Sequence, residues 1–410
     1  MKSDQLLLQA AKQFGTPLYV YDEQIIERQY VKLKNAFSES NVRFHYAVKA
    51  LSNSAILMIM KRLGAGLDAV SINEVFLGLR AGFEPTDIIY TPNGVDFEEI
   101  EQAVETGVLI NIDNLNVLEK FGQVYGDKVP VCIRLNPHIM AGGNLNISVG
   151  HIDSKFGISI HQLRHILRIV QHYSMQVTGL HMHTGSDIVN PDVFIQGAEL
   201  LYEAAVHFPE LKFLDFGSGF KVSYKTDDIV TPIEEIGQKI SQSFNAFCEK
   251  LGRTLELKFE PGKFLVSEAG DLLVKVNVVK QTTSAVFAAV DSGQNHLIRP
   301  MFYNAWHQID NISNPAGTER LYSVVGNICE TDTFGFDRMM PETHEGDVLA
   351  IRNAGAYGFS MSNQYNARFR PAEVLIRGEE LHLIRRRETL QDLLSTEVAV
   401  PELAENVNLS

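Results

Sequence analysis

From about residue 43 onward, short apolar runs alternate with longer segments in which apolar residues recur every three or four positions. The short runs are VRFHYAV, LDAVS, DIIYTP, VLINI, VPVCIRL, VTGLHMH, LKFLDF and LELKFE, eight in all. Seven helical segments lie between them, including AILMIMKRLG, EVFLGLRAG, FEEIEQAVETG and IEEIGQKISQSFNAFCEKLG; an eighth, DEQIIERQYVKLKNAF, comes before the first run. Strands that alternate with helices predict βαβ units and a parallel sheet. Eight of each over roughly 230 residues fits a closed (β/α)8 TIM barrel of the α/β class better than an open sheet.

The pattern changes after EPGKFLVSEAG. LLVKVNVV, SAVFAAV, RLYSVVGNI, DVLAIR, EVLIR and LHLIRR read as strands with no long helix between them, which predicts a second, all-β domain shaped as a sandwich or barrel. The early PLYVYD run is a candidate to join it. The expected division is therefore a barrel over 23–269, a β domain from 1–22 plus 270–395, and a loose acidic tail over 396–410.

Composition narrows the class. The 410 residues are 45% apolar, which fits a globular chain, and the charge balance is 36 − 50 = −14. That balance argues against general nucleic-acid binding, which needs a basic surface. No apolar run approaches the roughly 20 residues that span a bilayer, and the opening MKSDQLLLQAAKQFG is too weak for a signal-peptide core. Cys132, Cys248 and Cys329 are odd in number and far apart, so neither a disulfide framework nor a zinc site is expected. A reduced, cytoplasmic enzyme with no membrane or nucleic-acid partner is the natural expectation.

In barrels of this kind reactive groups gather at the C-terminal ends of the strands. Those ends carry Lys49, Asp68, Asn93-Gly94, Arg134 and Asn136, His181 and His183, the turn Gly217-Ser218-Gly219, and Glu260-Pro261-Gly262-Lys263. A lysine facing a barrel mouth is partly desolvated, which lowers its pKa and suits it to condense with an aldehyde cofactor; the plainer alternative is a snorkelling surface lysine. The glycine turn could cradle a phosphate on its backbone N–H groups, or be ordinary loop punctuation. Glu260 could keep a pyridine nitrogen protonated, or be a buried carboxylate satisfied by backbone. His181 and His183, two apart, face one side of a strand. No third ligand accompanies them in the sequence, so no metal is expected; His183 is the better candidate to stack on a flat cofactor, and His181 reads as a core position.

Taken together these residues resemble the fold-type III, pyridoxal-phosphate-dependent decarboxylases. The resemblance runs from about Gly15 to Leu394 and is carried by HYAVKA, SKFGI, HMHTGSDI, DFGSGF, EPGK, RPMFYNAWH, GNICETD and NAGAYGFSMSNQYNARFRPAEVL. It implies a pyridoxal 5'-phosphate cofactor held by Lys49, with His183 stacked on its ring and Glu260, beside Pro261, at its nitrogen. Ser186, Gly217, Ser218, Gly219, Gly262, Lys263 and Tyr357 would serve its phosphate. Lys263, Arg299, Tyr303, Glu330 and Tyr357 would meet a substrate. Cys329 would return a proton, arriving from the second subunit of a homodimer with shared sites. The implied reaction removes the carboxylate at the D-centre of meso-2,6-diaminopimelate, giving L-lysine and carbon dioxide, the last step of lysine biosynthesis. A decarboxylase of another basic amino acid or of carboxynorspermidine is an alternative that the Arg299–Tyr303 segment argues against and Lys263 slightly favours. An alanine-racemase-like enzyme would want a tyrosine base where Cys329 stands, and a non-catalytic homologue would have lost Lys49 or Cys329. Two positions depart from the family pattern: Lys263 stands where arginine is usual, giving a point charge in place of a fork, and Ser218 interrupts the usual run of three glycines.

Overall fold

The computed structural model describes residues 2–139, 154–398 and 400. The expected tail, 396–410, lies outside the described residues except for 396–398 and 400. Eighteen strands form two sheets. In chain order they begin with β1 (Leu18–Asp22), β2 (Val42–Ala47), β3 (Gly66–Ala69), β4 (Ile88–Tyr90), β5 (Leu109–Ile112) and β6 (Val131–Asn136). Next come β7 (Ile158–Ser159), β8 (Val177–Met182), β9 (Phe213–Asp215), β10 (Glu256–Phe259), β11 (Gly270–Gln281) and β12 (Val286–Val290). The last six are β13 (Ile309–Asn311), β14 (Glu319–Val325), β15 (Thr333–Pro341), β16 (Val348–Ile351), β17 (Ala372–Arg377) and β18 (Glu380–Arg385).

β2, β3, β4, β5, β6, β8, β9 and β10 pair in that order, all parallel, and β10 returns to β2. This is the closed eight-stranded barrel, with the two-residue β7 added alongside β6. The strands are short because each needs only to cross the barrel wall, and their apolar residues are buried on both faces, as a helix-wrapped parallel sheet requires. Side chains start the surrounding helices: Ser71 accepts from the Glu74 amide, Asp96 from Glu99 and Asn114 from Val117, each satisfying an N–H that has no helical partner. The helix Ile233–Leu251 buries Ile233, Ile236, Ile240, Phe244 and Phe247, one stripe at helical spacing, against the barrel.

The second sheet runs β15-β14-β12-β11-β1-β17-β18, and β16 bridges β11 to β13. β1 lies between β11, antiparallel, and β17, parallel, so the first strand of the chain is central in the last-formed sheet. The helix Asp4–Phe14 covers one face: Leu7 and Ala10 pack with Leu18, Val20, Leu273, Ala350 and Val374. Arg352 fastens that helix by pairing with Asp4, Asp271 and Asp310. Two strands carry no clear apolar signal. β13 has only three residues, and β15 (TFGFDRMMP) is an edge strand whose exposed Phe336, Asp337 and Met339 break the alternation.

The two sheets meet at Glu373 on β17. Its fully buried carboxylate accepts from Tyr21 Oη (2.9 Å) and from Asn53 Nδ2 (2.9 Å), and it pairs with Arg385. Asn53 caps the barrel helix that begins at Ser54, so one carboxylate ties that helix to both β1 and β18. Glu373→Ala strands the buried Tyr21 hydroxyl without an acceptor and leaves the Asn53 amide only the Ile384 carbonyl at 3.4 Å. It should lower unfolding stability by about 2–3 kcal/mol, read as a shift of the urea midpoint at unchanged slope; a midpoint equal to the parent's would refute this account of the joint.

Candidate active site

The strand ends surround one cavity of about 740 Å³ at the C-terminal mouth of the barrel. Lys49, His183, Ser186, Ser218, Gly219, Glu260, Gly262, Lys263, Arg299, Tyr303 and Tyr357 all line it. Gly217 and Pro261 stand just behind: the Gly217 amide donates to Asp215 Oδ1 (2.9 Å), and the Pro261 carbonyl accepts from the Ala47 amide (3.2 Å). Cys329 and Glu330 do not line this cavity. Both are exposed on the β domain, where Asn366 Nδ2 lies 2.8 Å from the Cys329 Sγ and Tyr365 Oη donates to Glu330 (3.1 Å).

Lys49 follows β2 in a short 3-10 turn and projects into the cavity, its Nζ 3.5 Å from Asp68 Oδ2. The fall in its pKa expected from burial does not occur. Burial does lower it, but the charge of Asp68, reinforced by Tyr357 and Glu260, outweighs that and holds the ammonium above its ordinary value. Asp68 is itself pushed up to about 6, first by burial and then by the charge of Glu260, against the pull of Lys49.

The glycine turn needs its glycines. Gly217 (φ +62°) and Gly219 (φ +123°) adopt backbone that side chains disfavour. A Cβ at 217 would sit 2.5 Å from His183 Nδ1, and one at 219 would sit 2.5 Å from the Gly185 carbonyl. The turn does not, however, present all its amides to the cavity: Gly217 N–H is spent on Asp215, and Ser218 N–H on His183 Nδ1 (3.2 Å). The expected bare cradle is thus partly closed by its own neighbours. Ser186 Oγ, buried and without a partner, and Lys263, paired with Asp187, are cavity groups left to face an anion there.

The two histidines of HMHTGSDI part company. His183 lines the cavity, and burial together with the charges of Arg134 and Lys49 keeps its ring far below the ordinary histidine pKa, hence neutral. His181 is fully buried below, with Nδ1 2.9 Å from Asn111 Nδ2 and Nε2 3.2 Å from Glu260 Oε2. Asp215, His181 and Glu260 bring donor atoms within 4.8 Å of one another, a grouping the sequence does not reveal because β8, β9 and β10 adjoin only in the closed barrel. Burial would raise the Glu260 carboxyl, but His181, Lys49 and His183 hold it below its ordinary value, so it is ionised. Its second oxygen, Oε1, is buried with no partner.

Across the cavity, Arg299 lies over the Tyr224 ring (5.3 Å) and donates to Tyr224 Oη (3.3 Å) and His307 Nε2 (3.4 Å). Among the described residues no carboxylate pairs with Arg299. Tyr224, Asp187, Trp306 and Lys155 are cavity residues that strand-end reasoning misses, since they sit on loops. Only the motifs HMHTGSDI, SKFGI and RPMFYNAWH mark three of them.

This cavity fits pyridoxal phosphate: a lysine amine, a neutral aromatic ring, an ionised carboxylate with an unused oxygen, and a tight glycine turn beside an unpartnered hydroxyl and a cation. The family model of the pyridoxal-dependent decarboxylases, pyridoxal binding domain, matches residues 23–267. The diaminopimelate decarboxylase of Methanothermobacter thermautotrophicus is 39% identical over 94% of this chain and 92% of its own length; that of Pseudomonas aeruginosa is 37% identical over 97% and 96%. The chain belongs to the diaminopimelate decarboxylase family. The solved diaminopimelate decarboxylase of Helicobacter pylori, complexed with L-lysine, superposes with a TM-score of 0.87 at 31% identity, covering 95% of this chain and 98% of that one. The lysine/ornithine decarboxylase of Vibrio vulnificus, complexed with cadaverine, reaches 0.80 at 26% identity over 92% and 97%. Membership of this family brings pyridoxal 5'-phosphate as the cofactor and the barrel-plus-β-domain architecture.

Because Asp68 is the strongest charge holding Lys49 as an ammonium, Asp68→Asn should lower the pH at which the amine is freed. In cofactor-free enzyme the pH midpoint of condensation with pyridoxal phosphate should move down; a midpoint that stays or rises contradicts the charge balance described here.

Proposed function

We propose that this decarboxylase acts on meso-2,6-diaminopimelate and releases L-lysine and carbon dioxide. The observation that carries the substrate is Arg299, a guanidinium with no carboxylate partner among the described residues, set in the wall of the cavity that holds Lys49. A half-buried guanidinium in a cavity wall, with no carboxylate of its own among the described residues, is available to pair with the carboxylate of a ligand. Diaminopimelate has two carboxylates: one leaves, and the other needs a partner that ornithine, arginine and cadaverine-forming lysine decarboxylation would supply no special use for at that distance. The closer identity to diaminopimelate decarboxylases than to the lysine/ornithine enzyme favours the same reading.

Bound pyridoxal phosphate supplies an aldehyde that condenses with amines and a ring that accepts the electron pair left when carbon dioxide departs. The protein's share is positioning and charge. Lys49 Nζ is the amine that would hold the cofactor's aldehyde. His183, neutral, would offer its ring face, and the Glu260 carboxylate would meet the ring nitrogen. Ser186, Gly219, Gly262 and the Tyr357 hydroxyl would serve the phosphate end, with Gly217 and Ser218 shaping the turn, since their own amides are spent on Asp215 and His183. Lys263, although paired with Asp187, would add a cation there, and Arg299, with no carboxylate partner among the described residues, would take the substrate carboxylate together with Tyr303.

Cys329 and Glu330 are proposed to act in the cavity of a second copy. Their support is placement: both are exposed, both lie off their own chain's cavity, and the half-exposed Tyr365 and Phe369 are close in sequence to the loop that contacts them. In a homodimer Cys329 would deliver the proton to Cα, and Glu330 would meet the distal ammonium. A reduced cytoplasmic setting, which keeps this exposed thiol free, fits that role. No helix among the described residues is long and apolar enough to cross a membrane.

Carbon dioxide release should be measured with meso-diaminopimelate beside L-lysine, ornithine, arginine and carboxynorspermidine. Turnover is expected with the first alone, and Arg299→Leu should cut its kcat/KM by about a hundredfold or more; comparable release from ornithine or lysine would overturn the assignment. The shared site predicts complementation. Lys49→Ala and Cys329→Ala chains, each inactive alone, should regain up to about a quarter of parental activity on mixing, because random hybrid dimers retain one intact site. Proven exchange of subunits with no activity regained would rule out sharing.

A further inference from the structure

His181 is a titratable group beneath the cavity to which the reaction as read above gives no task. It is 1% exposed, next to the last residue of β8, and its two nitrogens face two different strands. Nδ1 lies 2.9 Å from the Asn111 amide of β5, and Asn111 is anchored in turn to Thr91 Oγ1 at 3.2 Å. An amide N–H at that distance makes Nδ1 the acceptor, which leaves the ring proton on Nε2. Nε2 points toward Glu260, 3.2 Å from Oε2, at contact distance though off the line of an ideal hydrogen bond. Such contacts commonly tighten when a site fills. Glu260 therefore has Oε2 in contact with His181 from below and Oε1 buried without a partner among the described residues, while the residue itself lines the cavity.

We propose that His181, with its tautomer fixed by Asn111, is a positioning residue that holds Glu260 through Oε2 so that the carboxylate is set to meet the ring nitrogen of pyridoxal phosphate. A carboxylate on a single-bond stem rotates freely unless its second oxygen is held, and a group that must meet one ring atom gains from being held in advance. Any buried histidine needs a partner such as Asn111; what sets His181 apart is that its other nitrogen meets a carboxylate that lines the cavity. The chain Thr91–Asn111–His181–Glu260 crosses the barrel interior from β4's end to β10's end, so the orientation of one oxygen is set by three strands that have no part in covalent chemistry.

This inference rests on the reading of Glu260 as the partner of the ring nitrogen, and the test separates the two. Cofactor-free protein is titrated with pyridoxal phosphate and with its 1-deaza analogue, in which CH replaces the ring nitrogen, and Kd is read from the absorbance change. The parent should prefer pyridoxal phosphate, and Glu260→Gln should erase most of that preference; if the parent shows none, or Glu260→Gln keeps it, the reading of Glu260 fails. Given those two results, His181→Phe should weaken pyridoxal phosphate by about tenfold while leaving the deaza analogue within about twofold. His181→Gln, whose amide can place an N–H where Nε2 stands, should keep most of the preference. Where His181→Phe does not yield folded protein, Asn111→Ala tests the same anchor and should shrink the preference without emptying the histidine's place. A preference equal to the parent's in the folded Phe variant, or in Asn111→Ala, overturns the inference. So does an equal loss for both ligands, which is what a merely structural histidine would give.

Discussion

The position of Lys49 depends on a contact made by the other domain. One residue on from the lysine, the Ala50 carbonyl accepts the Tyr357 amide (2.9 Å) and the Ser360 hydroxyl (3.1 Å), both from the loop between β16 and β17. Three residues further, Asn53 is held by Glu373. A 3-10 turn of three residues has little rigidity of its own, so the turn that carries the reactive amine is fixed from outside the barrel. Tyr357, with positive φ, is bent so that its amide reaches Ala50 while its side chain lines the cavity. One strained residue thereby serves both as clamp and as wall. Loosening the β domain would shift the amine before it disturbed any barrel strand.

The second constraint is electrical. Asp68, Asp215 and Glu260 crowd the barrel interior near Arg134, Lys49 and two histidines, and the charges are not shared evenly. Glu260 is held ionised, while Asp68 and Asp215 are pushed toward the protonated form, each by burial first and by Glu260 next. Like charges in one low-dielectric space cannot all persist. Glu260 is the one that stays charged, because it has cations and a histidine on several sides. The arrangement thus concentrates negative charge where the proposed ring nitrogen would sit and weakens it at Asp68 and Asp215.

How far this was legible in the sequence differs by element. The barrel was, because eight β-branched runs separated by helical segments leave few alternatives, and the lysine, histidine, glycine turn and Glu260 follow from taking strand ends in order. β13 and β15 were not, since one is too short for any periodicity and the other is an edge strand in which exposed Phe336, Asp337 and Met339 break the alternation. Electrostatic readings failed where they needed a third dimension. Burial alone implies a lowered lysine pKa, and only the pairing of β2 with β3 shows Asp68 beside Lys49. Likewise His181 looked like filler until β5 and β10 placed Asn111 and Glu260 on its two nitrogens. A group's neighbours in the chain say what it is, and its neighbours across the sheet decide its charge.

The two domains also divide the chemistry. The groups proposed to face the cofactor, Lys49, His183, Glu260 and the glycine turn, sit at strand ends of a barrel that a family model spans almost entirely. The groups proposed to judge the substrate all lie between strands of the β domain, Arg299 and Tyr303 at the two ends of a five-residue helix and Cys329 and Glu330 on a loop. A lysine/ornithine decarboxylase shares the whole architecture at 26% identity, which is what such a division permits: the rigid strands fix what is done, and loops can alter what it is done to. Arg299 illustrates the economy of the scheme. Its guanidinium is supported by a tyrosine ring and a histidine that burial keeps neutral, at about 3, rather than by a carboxylate. Packing therefore orients the cation without neutralising it, and its charge stays available for a ligand that carries the complementary one.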